Sequence, residues 1–326
     1  MSIVALETYL KPLKNIFEQP GVSEVSINRP KEAWVEIYGD MKRHEIPEFD
    51  FEHLKALARL IAQSTDQRVS EENPLLSANL PDGYRVQIVF PPACEGGTVA
   101  FSIRKQSIMN MDLDAYEALG AFQATVVRKM ENETDKKLRA LLDSGNIKDF
   151  IKGAVLAKKN IIVSGGTSTG KTTFLNAVMK AIPDSERIIT CEDAREINID
   201  HLPNHVHLLS SKGGQGRAQV TTQDLIEACL RLRPDRIMVG ELRGKEAFSY
   251  LRAVNTGHPG SISTLHADTP LLALEQLILM IMQAGLGITR EQIKNYVETV
   301  INVIIQLKRG DKGKRFVSEI YFKESE

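Results

Sequence analysis

IIVSGGTSTGKTTFLNAVMKAI, residues 161–182, decides the fold of the C-terminal half of this chain. Within it GGTSTGKT (165–172) meets the pattern G-x-x-x-x-G-K-[ST] at every fixed position. IIVS (161–164) ahead of it is an apolar run of strand length. Phe174, Leu175, Val178, Met179 and Ile182 behind it recur at the spacing of one helix face, closed by Pro183. Strand, glycine turn and helix in that order predict a phosphate cradle. Gly165 and Gly170 let the chain curl so that successive N–H groups converge on an anion, and the helix adds its own N-terminus. Lys171 supplies a point charge for β- and γ-phosphates, and Thr172 a hydroxyl for Mg²⁺. The expected nucleotide contacts are therefore Gly165, Gly166, Thr167, Ser168, Thr169, Gly170, Lys171, Thr172 and Thr173.

Downstream, short apolar runs alternate with helical patterns: RIITCED, HVHLLSS, a helix near 222–232, DRIMVGE, another helix, then SISTLHA. Continuous apolar strands between helices imply a sheet covered on both faces. NVIIQLKRGDKGKRFVSEIYF reads as an antiparallel hairpin around Gly310–Gly313 at the sheet edge. Upstream, residues 1–104 read as a smaller α+β domain. VSEVSIN (22–28) and AWVEIY (33–38) alternate like half-buried strands, apolar residues from Phe51 to Ile61 mark a helix, and RVQIVF (85–90) and TVAFSIR (98–104) are further strands. The polar, mixed-charge stretch 105–147 reads as a helical linker, leaving 148–326 as the phosphate-loop domain.

Hydrolysis also needs a metal partner and a group that orients water. Glu241 ends the apolar strand DRIMVGE, where open α/β sheets place their ligands. It is the expected Mg²⁺ partner, directly or through water, beside Thr172. Asp235 starts that strand and belongs at its other end. Glu192-Asp193 follows RIITC; Glu192 is a second candidate acid, whereas Asp193 with Glu196 also resembles a helix cap. His258 and His266 flank SISTL, each able to bond a γ-phosphate or to hold a loop. His205 and His207 form an H-x-H pair with no further ligand in view, and read as ordinary strand histidines. Arg231, Arg233 and Arg243 surround the DRIMVGE strand, able to pair with local acids or to reach a neighbouring site.

Composition narrows the class. With 42% hydrophobic and 25% charged residues the chain matches ordinary globular proteins. A net charge of -1 removes the bulk argument for a nucleic-acid binder. Three scattered cysteines form no CxxC pair and fit a reducing compartment. MSIVALETYL lacks a basic n-region and is a poor signal peptide, and no apolar run approaches the ~20 residues that cross a bilayer. The expectation is a cytoplasmic or membrane-peripheral protein.

The ordered series GGTSTGKT, ITCEDAREI, LRLRPDRIMVGELR and TGHPGSISTLHA closely resembles the Walker A, Asp, Walker B and His boxes of the type II and type IV secretion ATPases. The match is dense over about 161–268 and extends into the first domain through ENPLLSANLPDGYRVQIVFPP and AFSIRK. Within that superfamily the chain looks most like the hexameric ATPase of bacterial type IV secretion; three unpaired cysteines cannot build the four-cysteine zinc module usual in type II members. The resemblance implies a RecA-like α/β domain with a mostly parallel sheet, behind a smaller α+β domain. It implies ATP and Mg²⁺, with Lys171, Glu192, Glu241 and His266 (His258 second) in catalysis. It also implies that Arg85 and Arg104 reach the nucleotide's phosphates from the first domain. A homo-hexamer at the cytoplasmic face of the inner membrane is implied, working with secretion-channel components and other secretion ATPases, with nucleic acid only as cargo. The unusually long 105–147 segment leaves open whether the first domain serves its own ring subunit or a neighbour's. The rival readings are a pilus or type II secretion motor, a nucleic-acid translocase, and a scaffold that binds ATP without hydrolysis.

Overall fold

The computed structural model describes residues 2–80, 82–106, 112–125, 132–211 and 217–324. The expected linker's 107–111 and 126–131 lie outside the described residues. The first domain opens with helix α1 (Ser2–Phe17) and the antiparallel strands β1 (Val22–Ile27), β2 (Glu32–Ile37) and β3 (Asp40–Glu45). Helix α2 (Phe51–Ser64) follows, started by Asp50, whose carboxylate accepts from the His53 N–H. Strands β4 (Leu75–Asn79), β5 (Arg85–Val89) and β6 (Ala100–Arg104) complete a six-stranded sheet of order β3-β2-β1-β6-β5-β4. Leu54, Leu57, Ala58 and Ile61 of α2 are fully buried against that sheet and α1. The four strands and the helix expected here are present, as β1, β2, β5, β6 and α2. Helix α1 and strands β3 and β4 are additions.

After helix α3 (Leu113–Ala118) come α4 (Glu133–Asp143) and α5 (Ile147–Leu156). Leu138 of α4 is buried with Phe150 in the core of the second domain, so the later part of the 105–147 segment packs as part of that domain. Then follow β7 (Ile161–Gly165), α6 (Lys171–Met179), β8 (Ile188–Glu192), β9 (His205–Leu209), α7 (Thr222–Cys229), β10 (Arg236–Val239), α8 (Glu246–Asn255), β11 (Ile262–Leu265), α9 (Pro270–Met282), α10 (Arg290–Val300), β12 (Val303–Arg309) and β13 (Arg315–Phe322). The sheet order is β13-β12-β7-β11-β10-β8-β9. All neighbours are parallel except the β12–β13 hairpin, which forms the edge as expected. Apolar strand residues alternate between two cores, one under α5 and α6 and one under α7 to α10, so both faces are covered. This is the expected RecA-like α/β arrangement.

The first domain covers the β9 edge of that sheet. Ala93 O accepts from Leu209 N, Cys94 bridges Leu208, and Val89, Ala93 and Ala100 join the second domain's core. An exposed strand edge is thereby closed. At the other end of β9, the fully buried Arg187 donates to Asn28 and Asn204 at 2.6 Å each, and Arg233 pairs with Glu36.

One buried ion pair anchors the lower rim of the sheet. Arg236, with no exposed surface, forks onto Glu186 (Nε–Oε2 2.6 Å, Nη2–Oε1 2.9 Å) and donates to the carbonyls of Val155 and Gly260. Burial pushes the Glu186 carboxyl up, but the Arg236 fork outweighs it and holds it below the usual range. Replacing Glu186 with Gln strands the guanidinium, and the expected loss is about 3 kcal/mol, read from the denaturant midpoint. A depressed carboxylate stabilises the fold fully above its unfolded value near 4.5, and the contribution disappears as pH falls through the folded value. The gap between wild type and Glu186→Gln should therefore close in acid.

Candidate functional site

Parallel strands β7, β8, β10 and β11 end at one rim of the sheet, and their following loops enclose a cleft of ≈ 550 Å³. The phosphate loop forms one wall. Ser168 and Gly170 have left-handed backbones (φ 63° and 85°), which turn the chain into α6 at Lys171. A Cβ on Gly165 would lie 2.5 Å from Thr169 Oγ1 and 2.9 Å from Leu307 O, so only glycine fits there. Lys171 Nζ donates to the carbonyls of Gly165 (2.9 Å) and Gly166 (3.3 Å). Partial burial draws its ammonium below the usual lysine range.

Opposite stands Glu241, 15% exposed at its side chain. Its Oε1 lies 2.6 Å from His266 Nε2, and its Oε2 accepts from Arg243 Nε at 2.7 Å. His266 Nδ1 is 3.3 Å from Lys171 Nζ. The imidazole therefore lies between the loop lysine and the acid, with Nδ1 facing the ammonium, while Glu241 Oε1 accepts no hydrogen bond from it despite the short contact. Arg243 also reaches Asp193 (2.6 Å), and the Glu241 bond holds its guanidinium above its ordinary pKa.

Glu192 lines the same cleft in a different state. It is 3% exposed and saturated: Oε2 accepts from the N–H groups of Glu196 (2.8 Å) and Ile197 (2.7 Å), and Oε1 from Thr190 Oγ1 (2.7 Å) and His207 Nδ1 (3.2 Å). Burial pushes its pKa up, but bonds from His207, Thr190 and those two amides hold it below the usual range. It caps the irregular turn after β8. Asp193 does not cap a helix, because none forms there; it accepts from Ser210 and pairs with Arg243. Thr172 Oγ1 points toward Glu196 Oε2, at 3.4 Å.

Three expected site residues lie elsewhere. Arg85, Arg104 and His258 line a second cavity with Arg231, Arg233 and Asp235, at the strand starts. His258 Nδ1 donates to Pro234 O, just before β10 begins, whereas Glu241 follows its end. Six residues of extended chain separate Asp235 from Glu241, about 20 Å. Within one chain these side chains do not reach the phosphate loop, because the first domain packs with its arginine face toward the opposite rim, so of the two arrangements left open by the sequence this one is not made by a subunit for itself. Asp235 stays at that rim, as expected, accepting from Arg187 N. Arg315 of β13, which carried no sequence signal, enters the cleft with its Cδ 2.9 Å from where a Cβ on Gly170 would stand.

A family model described as type II/IV secretion system protein matches residues 7–319. The chain is 38% identical to the type IV secretion system protein VirB11 of Bartonella quintana, over 98% of this chain and 94% of that protein. It is also 38% identical to the type IV secretion system protein PtlH of Bordetella pertussis, over 98% and 96% of the two chains. Among solved structures, the VirB11 ATPase of the Brucella suis type IV secretion system, in complex with sulphate, superposes with a TM-score of 0.93. It shares 36% identity across 98% of this chain and 95% of that one. No helix among the described residues is long and apolar enough to cross a membrane.

Proposed function

This chain belongs to the type II/IV secretion system protein family, and from that premise we propose that it hydrolyses ATP within a homo-hexameric ring that powers type IV secretion. The ring would sit on the cytoplasmic face of the inner membrane, against channel components and other secretion ATPases. Near-full-length similarity to two proteins named for type IV secretion supports that branch over a pilus or type II motor.

The observation that carries the reading is the Lys171–His266–Glu241 contact across one glycine-walled cleft. Phosphoryl transfer is mostly positioning and charge stabilisation. A glycine-walled loop, a lysine held by two carbonyls and an imidazole, and a hydroxyl beside an acid fit a magnesium nucleotide. Mg²⁺ would be held by Thr172 and, directly or through water, by Glu241, and would neutralise charge on the β- and γ-oxygens. A terminal phosphate draws the Lys171 ammonium off the Gly165 and Gly166 carbonyls, because an anion is the better partner. His266 follows its lysine toward the phosphate, and Oε1 of Glu241 is left to accept a hydrogen bond from the attacking water. The two glutamates thus take different parts. Glu241 is the catalytic carboxylate that accepts from water, and Glu192, whose oxygens are already filled, is a positioning residue for the Asp-box turn.

Glu241→Gln keeps size and shape but loses the basic oxygen. Turnover should fall roughly 10² to 10³-fold, while ATP affinity measured by fluorescence titration stays near that of the wild type. Normal turnover in that variant would remove Glu241 from the chemistry.

A further inference from the structure

We infer that Asp200, His205 and His207 form a binding site for one divalent transition metal, of which Zn²⁺ is the best-matched, next to Glu192. One ligand atom from each of the three lies within 4.8 Å of the others, the one such trio among the described residues. The H-x-H pair supplies two imidazoles on one face of β9, with ring centroids 5.1 Å apart. Asp200, in the turn just before that strand, is the third ligand that the spacing of the pair did not reveal.

The tautomers are fixed by what surrounds each ring. Thr190 Oγ1 gives its proton to Glu192, so it and the Glu192 carboxylate both face His207 Nδ1 as acceptors, at 2.8 and 3.2 Å. Nδ1 must carry the hydrogen, and the lone pair is left on Nε2. That Nε2 is buried with no partner, in a residue 2% exposed. A buried acceptor left bare costs free energy, so its position calls for a ligand. His205 is held the same way: its Nδ1 lies 2.5 Å from Leu202 O, which fixes that N–H and leaves Nε2 as the lone-pair atom.

Neighbouring charges leave room for the ion. Arg29 lies 3.5 Å from His205 Nδ1, but its guanidinium is engaged by Glu32 and the Pro203 carbonyl. Arg195 takes one Asp200 oxygen at 3.1 Å, and the other remains. Tetrahedral zinc, with bonds near 2.0–2.1 Å, needs ligand atoms about 3.4 Å apart. The Asp200 side chain is 66% exposed and can rotate to close the difference. Water completes the set. The arrangement carboxylate–imidazole–metal, with Glu192 accepting from the far ring nitrogen, is the one that ordinarily orients a ligating histidine. A bound ion therefore stiffens His207 and, through it, the Glu192 cap of the Asp-box turn.

The site is tested without nucleotide, so failure of the ATPase assignment leaves the result readable. Co²⁺ is titrated into tag-free, full-length protein lacking Mg²⁺. The expected result is the visible absorption of a four-coordinate site that saturates at one equivalent and is displaced by Zn²⁺. His205→Ala and Asp200→Asn should each weaken binding by at least about tenfold. Asp200→Asn alters an exposed side chain and keeps the fold, so it serves if His205→Ala does not fold. Absence of the band overturns the proposal, and so does a band that survives Asp200→Asn unchanged.

Discussion

Two inactive variants, Arg85→Ala/Arg104→Ala and Lys171→Ala, are expected to recover ATP turnover when mixed. The argument rests on where the first domain sits. Arg85 and Arg104 face a cavity at the strand starts, about 20 Å of extended strand away from Glu241 and the phosphate loop. Val89, Ala93, Cys94 and Ala100 are built into the second domain's core, so the first domain cannot swing without opening that core. An arginine face at one rim and a loop needing cations at the other are complementary halves of a head-to-tail contact. Repeating such a contact closes a ring when the rotation between neighbours divides a full turn. In our proposal each subunit's arginines complete the next subunit's site.

An arginine supplied across an interface is worth roughly 10³ to 10⁵ in phosphoryl transfer, so the double variant alone should be nearly inert. The Lys171 variant keeps its arginines, and the arginine variant keeps its loop. In a randomly mixed ring about a quarter of contacts unite an intact loop with intact arginines. Turnover of an equimolar, reassembled mixture should approach that fraction of wild type. No recovery at any ratio, with both variants folded and assembled, would mean that the arginines act within their own chain or not at all.

The second domain was legible because its strands are buried on both faces and read as unbroken apolar runs. Ile161–Val163, Ile188–Ile189 and Ile237–Val239 have no exposed surface. Helix α9 was not read for the opposite reason: LLALEQLILMIM is apolar nearly all round, so no single face stands out. Strand β3, DMKRHE, is polar on both sides and owes its existence to pairing with β2 around the Tyr38-Gly39 turn, not to its own pattern. The phosphate loop, Glu241 and His266 were visible because local spacing encodes a strand end. What escaped depends on which strands are neighbours. His207 meets Glu192 only because β9 lies beside β8. Arg315 meets the loop from a hairpin nearly 150 residues away. The rim at which Arg85 and Arg104 emerge follows from domain packing, which no short motif records.

Lys171→Ala should leave a folded protein that neither binds ATP tightly nor turns it over. Among the described residues Lys171 Nζ contacts two carbonyls and an imidazole, at a rim partly open to solvent. Its loss uncovers acceptors that water can serve, so the melting temperature without ligand should stay close to wild type. The bound state is different. There the ammonium is the one charge that the loop itself sets against the β- and γ-phosphates, with burial on its side of the cleft reducing the competition from water. Removing a single neutral donor from such a site costs about 10² to 10³ in rate. A charged donor is roughly twice as strong, so a loss of about 10³-fold or more is expected. A thermal scan separates the two effects. Wild-type protein should melt higher as ATP and Mg²⁺ are raised, because a ligand that binds only the native state stabilises it by RT ln(1 + [L]/Kd). The variant should show almost none of that rise. If it shows the full rise and normal turnover, the phosphate loop is not where this protein holds its nucleotide.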